Sequence, residues 1–550
     1  MRTGRATAKN RAVIATSLDW ATLSSPPTTV TEATELWDCV GRRIVILWVA
    51  ILGVSGARPV AKPADGPSVL IVLWDTVRAD RMSLYGHIQP TTPRLQQWAR
   101  DAVVYERAVS PGMWTVPAHG SLFTGLPVSS HGAHAGWTWL DARHVTLAEH
   151  FSAAGYATFA YSSNPYLSEQ TNLLDGFAVQ RFSWRGADAA RTAEATRAKL
   201  IATDSSVEIS PGFDPDSRGE GWPAHLTVHK DGAPVVADAL LAWVDTLPPG
   251  APFVGFVNFL EAHHPRVPRM ASRRAVADEA VVQRALRTDL SLLRLMSAME
   301  GVGSLDADEL EALAATYDAA LVDLDTATDA LLTGLQERGR LDDTIVVILS
   351  DHGEHLGEHG RFDHRWSIGQ PLIHVPLVVR WPAGLDPVRV SEPVSTGDLF
   401  GSLLDWTGVA PPPGVPLGRL GRQHAVVSEL VAPMPRLPQV RRALPDLPGG
   451  RWRTRYRARI EGPLKLVRTQ DNTSLYDLST DPLEDTDLST ERLELTARMG
   501  EALRAWDVAR PPLRLDLRAP TDRPGRPLRA DVPGHADQLR ALGYATEDRP

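Results

Sequence analysis

Two carboxylates and one imidazole follow apolar runs of this sequence, and together they could bind a divalent cation. Asp75 comes after the run 69–73, and Asp351 and His352 come after the run 344–349. Oxygen ligands with one nitrogen suit Mn²⁺ or Zn²⁺, and Ca²⁺ or Mg²⁺ less well. Two carboxylates brought together without a cation would repel each other. The alternative interpretation is that the aspartates only cap the helices that follow these strands.

A hydroxyl group stands where it could act as a nucleophile. Thr115 lies in Trp114-Thr-Val-Pro-Ala-His119, just before a helix predicted to begin near Ala118. A hydroxyl at a helix N-terminus, facing a cation, is placed to attack an electrophile whose oxygens the amides and the cation stabilise. Because Thr-x-Pro at a helix start is more often only a cap, this pattern leaves both interpretations open.

These residues follow elements that an α/β sheet would align. Apolar runs predict strands over residues 69–73, 156–162, 253–260, 344–349 and 372–379, and helices are predicted over residues 92–102, 148–154 and 317–338. Strands alternating with helices predict a large doubly wound, mostly parallel sheet. Such sheets bind ligands at the carboxyl ends of their strands, where Asp75, His263 and Asp351 fall.

Changes in composition divide the chain into predicted domains. The catalytic α/β domain is predicted over residues 67–435, with a small α+β subdomain over 436–550. Residues 168–235 are rich in Ala, Asp, Ser and Gly without periodicity, and we interpret them as an insertion or lid. Arginines at every second position from Arg451 to Arg459 predict a strand with one basic face. A solvated strand face explains them best, and attraction of an anionic substrate is the alternative.

The first 66 residues are predicted to be a leader and a linker. Arg42 and Arg43 precede the apolar run 44–54, which ends in small residues as a signal peptide does. Such a run is too short to span a bilayer, so no stable membrane span is expected in the mature chain. We therefore predict export to the periplasm or the extracellular space. A buried or amphipathic N-terminal helix is the alternative.

Composition excludes other function classes. The 550 residues include 57 Lys and Arg against 66 Asp and Glu, a formal charge of −9, so no excess of positive charge exists to bind nucleic acid. Cys39 is the single cysteine, which excludes an intrachain disulfide and a thiolate zinc cluster. A metal site must therefore use Asp, Glu, His or hydroxyl ligands.

Longer motifs, in consistent order, resemble the sulfatase family of the alkaline phosphatase superfamily. They lie at residues 69–80, 90–95, 114–125, 261–265, 345–354, 375–382 and 475–482. The resemblance implies a metal-dependent hydrolase of anionic sulfate or phosphate esters, with Thr115 at the position of the nucleophile. It implies one metal bound by Asp75, Thr115, Asp351 and His352. It places His263 at the leaving-group or a non-bridging oxygen, and it suggests substrate contacts by His364, Arg365, Arg78 and Asn164.

Several departures from the family pattern bear on the chemistry. His119 stands where sulfatases usually carry Arg, and Thr115 replaces the Cys or Ser that is oxidised to formylglycine, so no formylglycine is expected. Asp75-Thr76 replaces a pair of aspartates. A Thr nucleophile instead resembles the phosphoryl-transferring branches of the superfamily. We expect an ester hydrolase with one divalent ion, Mn, Zn or Ca. A phosphoryl-group transferase and a non-catalytic anion-binding protein are the alternatives.

Overall fold

The computed structural model describes residues 66–135, 137–202, 230, 232–413, 417–422, 424–432 and 453–510. Within them the strands, numbered along the chain, are β1 (Ser68–Trp74), β2 (Val103–Tyr105), β3 (Ala108–Val109), β4 (Ala157–Ser162), β5 (Val179–Phe182), β6 (Phe253–Phe259), β7 (Thr344–Leu349), β8 (His355–Leu356), β9 (Phe362–Asp363), β10 (His374–Val375), β11 (Leu377–Arg380), β12 (Val388–Val390), β13 (Val394–Ser395), β14 (Val426–Leu430), β15 (Tyr456–Glu461), β16 (Leu464–Arg468) and β17 (Thr473–Asp477). The α-helices are α1 (Pro93–Trp98), α2 (Thr115–Thr124), α3 (Val128–His131), α4 (Leu147–Ala153), α5 (Gly186–Ala202), α6 (Gly232–Val244), α7 (Met270–Val276), α8 (Glu279–Arg287), α9 (Leu292–Met299), α10 (Ala307–Glu337), α11 (Gln370–Ile373), α12 (Asp398–Thr407) and α13 (Leu493–Ala509).

An eight-stranded sheet in the order β12-β2-β11-β7-β1-β6-β4-β5 forms the centre of the fold. Five consecutive strands of this sheet pair in parallel, in the order β7, β1, β6, β4 and β5. The register sets Leu73 of β1 beside Asn258 of β6 and Leu349 of β7. Asp75 and Asp351 therefore leave the sheet at nearly the same level, as the sequence predicted.

Alternate residues of β1 pack into two separate cores. Ile71 and Leu73 contribute to a core that includes residues of α2, α4 and α12, whereas Leu70 and Val72 contribute to a core with residues of α6 and α10. Because successive side chains of a strand point to opposite faces, this pattern shows that helices cover both faces of the sheet. The prediction of a mostly parallel, doubly wound α/β fold is confirmed.

The predicted strand over residues 372–379 is wrong as a single element. Its first residues belong to α11, and β10 and β11 then join different sheets. Pro376 separates the two strands and has no N–H for a ladder hydrogen bond. β11 also runs antiparallel to β7. Hydrophobicity alone could not reveal this break, because all of these segments are buried.

The predicted helix over residues 317–338 begins earlier in the structure, at Ala307. Asp306 caps it by accepting a hydrogen bond from the backbone N–H of Glu309, whose side chain accepts one from the N–H of Asp306. This capping box fixes the start of α10 ten residues before the predicted one.

A small C-terminal antiparallel sheet is formed by β14, β15, β16 and β17. β14 lies on the N-terminal side of the predicted boundary at residues 435–436. In β15, Ala458 and Ile460 are buried, while Arg457 forms ion pairs with Glu429 and Asp507. Acidic neighbours therefore already compensate part of the predicted basic face.

Several predictions fall wholly or partly on residues outside the described part of the chain. These are the leader, Arg451, residues 203–229 of the predicted insertion, and the end of the chain beyond residue 510. The described part of the insertion contains α5 and also β5, an edge strand of the main sheet. A lid role for residues 168–235 stays a prediction. None of the helices within the described ranges is long and apolar enough to cross a membrane.

Candidate metal and ester site

Three side chains from the ends of β1 and β7 converge in the buried interior. Asp75, Asp351 and His352 each offer a ligand atom, and these atoms lie within 4.8 Å of one another. Nε2 of His352 is 3.3 Å from Oδ2 of Asp351 and 4.0 Å from Oδ1 of Asp75. The structure thus brings together the three side chains that the sequence predicted as metal ligands.

The hydrogen bonds of this cluster leave one acceptor on each side chain facing its neighbours. Oδ2 of Asp75 accepts from Asn164 and Asn258, and Oδ1 of Asp351 accepts from the backbone N–H of His352. His352 donates its Nδ1 proton to the carbonyl of Gly353, which leaves a lone pair on Nε2. Oδ1 of Asp75, Oδ2 of Asp351 and Nε2 of His352 have no hydrogen-bond partner among the described residues. Three converging buried acceptors without a donor fit a bound cation.

Burial favours the uncharged form of all three side chains in this cluster. It raises the pKa of Asp75 to about 6, with a further contribution from Asp351, and it raises the pKa of Asp351 to about 7. It lowers the pKa of His352 to about 3. Low dielectric surroundings disfavour each charged form, and a divalent cation would offset that cost for both carboxylates.

Thr115 is the first residue of α2 and is fully buried. The helix begins three residues before the predicted start near Ala118, because Trp114 is extended and already acts as its N-cap residue. Nδ2 of Asn164 donates to Oγ1 of Thr115 at 3.2 Å and to Oδ2 of Asp75 at 2.8 Å. One amide group therefore links the candidate nucleophile to the carboxylate cluster.

His119 lies one turn after Thr115 on the same helix. Its Nδ1 donates to the backbone carbonyl of Thr115 at 2.8 Å and lies 3.6 Å from Oδ2 of Asp351. The ring packs against the rings of Phe123 and Phe256. Burial lowers the pKa of His119 to about 3, so the ring is uncharged at neutral pH. An uncharged group therefore stands where the family usually places a guanidinium.

A row of imidazoles extends from the cluster. The ring centroid of His364 lies 4.6 Å from that of His352 and 5.1 Å from that of His263. His263 follows β6 and donates its Nδ1 proton to the carbonyl of His264 at 2.6 Å. Burial and positive neighbours lower the pKa of His263 well below its ordinary value. Burial alone would also lower the pKa of His364, but the Asp363 carboxylate raises it above the ordinary value.

A second acidic group borders this row. Glu354, Asp363 and His364 also offer ligand atoms within 4.8 Å of one another. Nε of Arg365 donates to Oδ2 of Asp363 at 2.7 Å, and Arg266 forms an ion pair with Glu354. Each carboxylate of this group thus has its own guanidinium, which distinguishes it from the cluster around Asp75.

Arg78 does not reach the cluster in the way that the sequence suggested. Its guanidinium donates to Asp80 through two nitrogens and, through the third, to Glu358 and the carbonyl of Glu354. All three nitrogens are therefore used by protein acceptors. This bonding favours a structural role for Arg78 over contact with a substrate.

Sequence reasoning missed Asn258 and Lys230. Asn258 is buried in β6, and its Nδ2 donates to Oδ2 of Asp75 at 3.2 Å. An amide in the middle of an otherwise apolar strand is a signal that could have revealed it, because buried polar groups need partners. Lys230 follows a segment without periodicity, and no sequence signal pointed to it.

Comparisons with known proteins agree with this geometry. The family model described as Sulfatase matches residues 67–409, more than half of the chain. The chain belongs to the sulfatase family. As a member of this family, the protein is an ester hydrolase.

Two relatives are aligned with this chain over most of their own length. A multifunctional alkaline phosphatase superfamily protein of Trinickia caryophylli is 25% identical over 388 residues, covering 62% of this chain and 74% of the relative. The ulvan-active sulfatase of Formosa agariphila is 24% identical over 452 residues, covering 80% of this chain and 81% of the relative. A solved phosphonate monoester hydrolase of Agrobacterium radiobacter shares the fold, with a TM-score of 0.61 and 22% identity, covering 80% of this sulfatase-family chain and 95% of the hydrolase.

Proposed function

We propose that this protein hydrolyses phosphate or sulfate esters, with Thr115 as the nucleophile beside one divalent cation. The observation that carries the proposal is the arrangement of Asp75, Asp351 and His352 around unpartnered acceptors, next to a hydroxyl held by Asn164. The cation would be held by Asp75, Asp351, His352 and the Thr115 hydroxyl.

The ligand set favours Mn²⁺ or Zn²⁺ over Ca²⁺, because one of the four ligands is an imidazole nitrogen. When bound, the ion would supply positive charge that lowers the pKa of a hydroxyl and polarises the ester. One ion suffices in this proposal, since the carboxylates of Glu354 and Asp363 are already matched by Arg266 and Arg365.

The side chains of the protein would divide the remaining work. Asn164 orients the Thr115 hydroxyl, and the N-terminus of α2 favours negative charge on the oxygens around the reacting atom. His364 and Arg365 would bind non-bridging oxygens of the anionic ester. The buried position of these groups keeps bulk water away from the reacting atoms.

The reaction would proceed through a covalent intermediate on Thr115. As its oxygen forms a bond to phosphorus or sulfur, its hydroxyl proton passes to a water molecule and the bond to the leaving oxygen breaks, while protonated His263 passes a proton to that leaving oxygen. An anionic ester beside His263 favours its protonated form, which offsets the lowered pKa. A water molecule then attacks phosphorus or sulfur and gives one proton to His263, the bond to the Thr115 oxygen breaks with release of the inorganic anion, and that oxygen takes up a proton to regenerate the hydroxyl. Phosphate esters are favoured, because sulfo-threonine lacks the elimination route that an aldehyde hydrate offers.

Export is a separate part of the proposal. Its support is the arginine pair and the apolar run at residues 42–54, which lie outside the described residues. Expression of the full chain followed by N-terminal sequencing of protein outside the cytoplasm tests it. Cleavage shortly after residue 54 is the expected result.

A parallel assay tests the catalytic proposal. Aryl sulfate, phosphate monoester and phosphate diester substrates are incubated with the protein and Mn²⁺, Zn²⁺ or Ca²⁺. Thr115→Ala is expected to abolish turnover, and mass spectrometry is expected to detect phosphate on the Thr115 peptide. Thr124→Ala is the matched control, because Oγ1 of Thr124 donates to Gly120 within the same helix. Activity that survives in Thr115→Ala would overturn the assignment of the nucleophile.

A further inference from the structure

Lys230 is a buried cation that the proposed mechanism does not use. It is only 2% exposed. Its Nζ donates to the backbone carbonyls of Leu260 and His263, the second at 2.6 Å. The ammonium group thus donates to main-chain oxygens, and the nearby carboxylate of Glu261 attracts its charge.

The two carbonyls belong to the two ends of one turn. The backbone N–H of His263 donates to the carbonyl of Leu260 at 3.2 Å, which closes a tight turn directly after β6. Glu261 in this turn accepts from the N–H of Ala233, in the first turn of α6, and from the N–H of Leu260. Lys230 and the start of α6, which are adjacent in the chain, therefore both bind this turn.

The same turn sets the direction of the His263 ring. The carbonyl of His263 is bound by Lys230, and its Nδ1 proton is donated to the next carbonyl, that of His264. Because Nδ1 donates to this carbonyl, proton exchange by the ring would take place at Nε2. The ring then lies beside His364, in the row of imidazoles that begins at His352.

Stability alone is a poor explanation for a lysine at this position. A buried charge pays a large desolvation cost, and here burial lowers the pKa of Lys230 to about 7. We propose that Lys230 is a positioning residue, which holds His263 where it can pass a proton to the leaving oxygen. This inference rests on the proposed function.

Leaving-group dependence tests the inference in the full-length protein with its metal. Lys230→Met is assayed on aryl and alkyl phosphate esters whose alcohols differ in pKa. We expect kcat/KM to fall about 10²-fold for poor leaving groups, which need protonation, and less than about 3-fold for 4-nitrophenyl esters. His263→Ala is expected to show the same dependence, and the double variant to lose no more than either single variant, because both act in one step.

Lys199→Met is the matched control, because it also removes a buried lysine, one that pairs with Asp323 at 2.9 Å. We expect its loss of activity to be small and equal for all leaving groups. An equal loss across the series in Lys230→Met would overturn the inference. If Lys230→Met does not fold, Lys230→Gln is assayed in the same series under the same criterion. Absence of turnover by the unmodified protein on every ester would instead overturn the proposed function.

Discussion

Asn164 donates a hydrogen bond of 3.2 Å from its side-chain amide to the hydroxyl oxygen of Thr115. The same nitrogen donates to Asp75 at 2.8 Å, so one residue sets the position of the proposed nucleophile relative to the carboxylate. If Thr115 is the nucleophile as proposed, we expect Asn164→Ala to lower kcat about 10²-fold, since a preorganised donor at a reacting centre is worth roughly this factor. Steady-state kinetics on a phosphate monoester measures the loss. Asn472→Ala, at an exposed position of the C-terminal sheet, is the control and should retain full activity.

Removal and return of the metal should change the stability of the protein. After treatment with EDTA, Mn²⁺ or Zn²⁺ at about 100 times its Kd is expected to add about 2.7 kcal/mol to the free energy of unfolding. Asp351→Asn should remove this gain, because the variant lacks one ligand. Thermal unfolding with and without the ion measures both effects.

Asp363→Asn is the matched control for this experiment. Asp363 belongs to the acidic group compensated by Arg266 and Arg365, so the variant should keep the gain in stability from the metal. Elemental analysis of the loaded protein should find one ion per chain. Two ions per chain, with the second lost in Asp363→Asn, would contradict the single-cation proposal.

The C-terminal sheet is joined to the segment that follows His364 and Arg365. Nζ of Lys465 in β16 donates to the carbonyl of Ile368 at 2.7 Å and forms an ion pair with Glu484, also at 2.7 Å. We expect Lys465→Met to lose about 3 kcal/mol of stability, because it leaves Glu484 buried without its cation. It should also raise KM, since the loop that carries the substrate contacts loses its anchor. Urea unfolding and steady-state kinetics measure these effects, and adding Glu484→Leu should restore part of the stability.

A pH dependence follows from His424 and Asp398. Nε2 of His424 lies 3.1 Å from Oδ2 of Asp398, and this hydrogen bond raises the pKa of His424 above its ordinary value of 6.5. A raised folded-state pKa gives a stabilising contribution that is fully present below about pH 6.5 and is lost as pH rises through the folded-state pKa. Because the His424 side chain is 38% exposed, the contribution should be below about 1 kcal/mol. His424→Gln should therefore cost more stability at pH 5.5 than at pH 8.5, and an equal cost at both would refute the expectation.

The strands that precede the proposed metal ligands could be predicted because their residues are nearly all apolar. Runs of Val, Ile and Leu mark β1 and β7, Phe and Val mark β6, and in a parallel sheet the carboxyl ends of these strands must lie together. The predictions for Asp75, Asp351 and His352 needed only this rule. The prediction for Thr115 also needed a helix start, and its error of three residues did not change which side chain faces the cluster.

The parts that could not be predicted depend on contacts between distant segments. Nothing local in Arg78 shows that Glu358 would occupy its guanidinium, and nothing local in Lys230 shows that it would reach Leu260. The antiparallel β11 was missed because hydrophobicity does not encode strand direction. Tertiary packing determines which residues meet when they are tens to hundreds of positions apart in the sequence. A local sequence pattern does not contain that information.

The proposed cation ligands and the proposed substrate contacts lie on different parts of the fold. The proposed acceptors for the cation directly follow β1 and β7. His364 and Arg365 lie on a segment that is hydrogen-bonded to the C-terminal sheet through Lys465. That segment and Lys465 could therefore be replaced together to accept another ester. The residues proposed to bind the cation would not change.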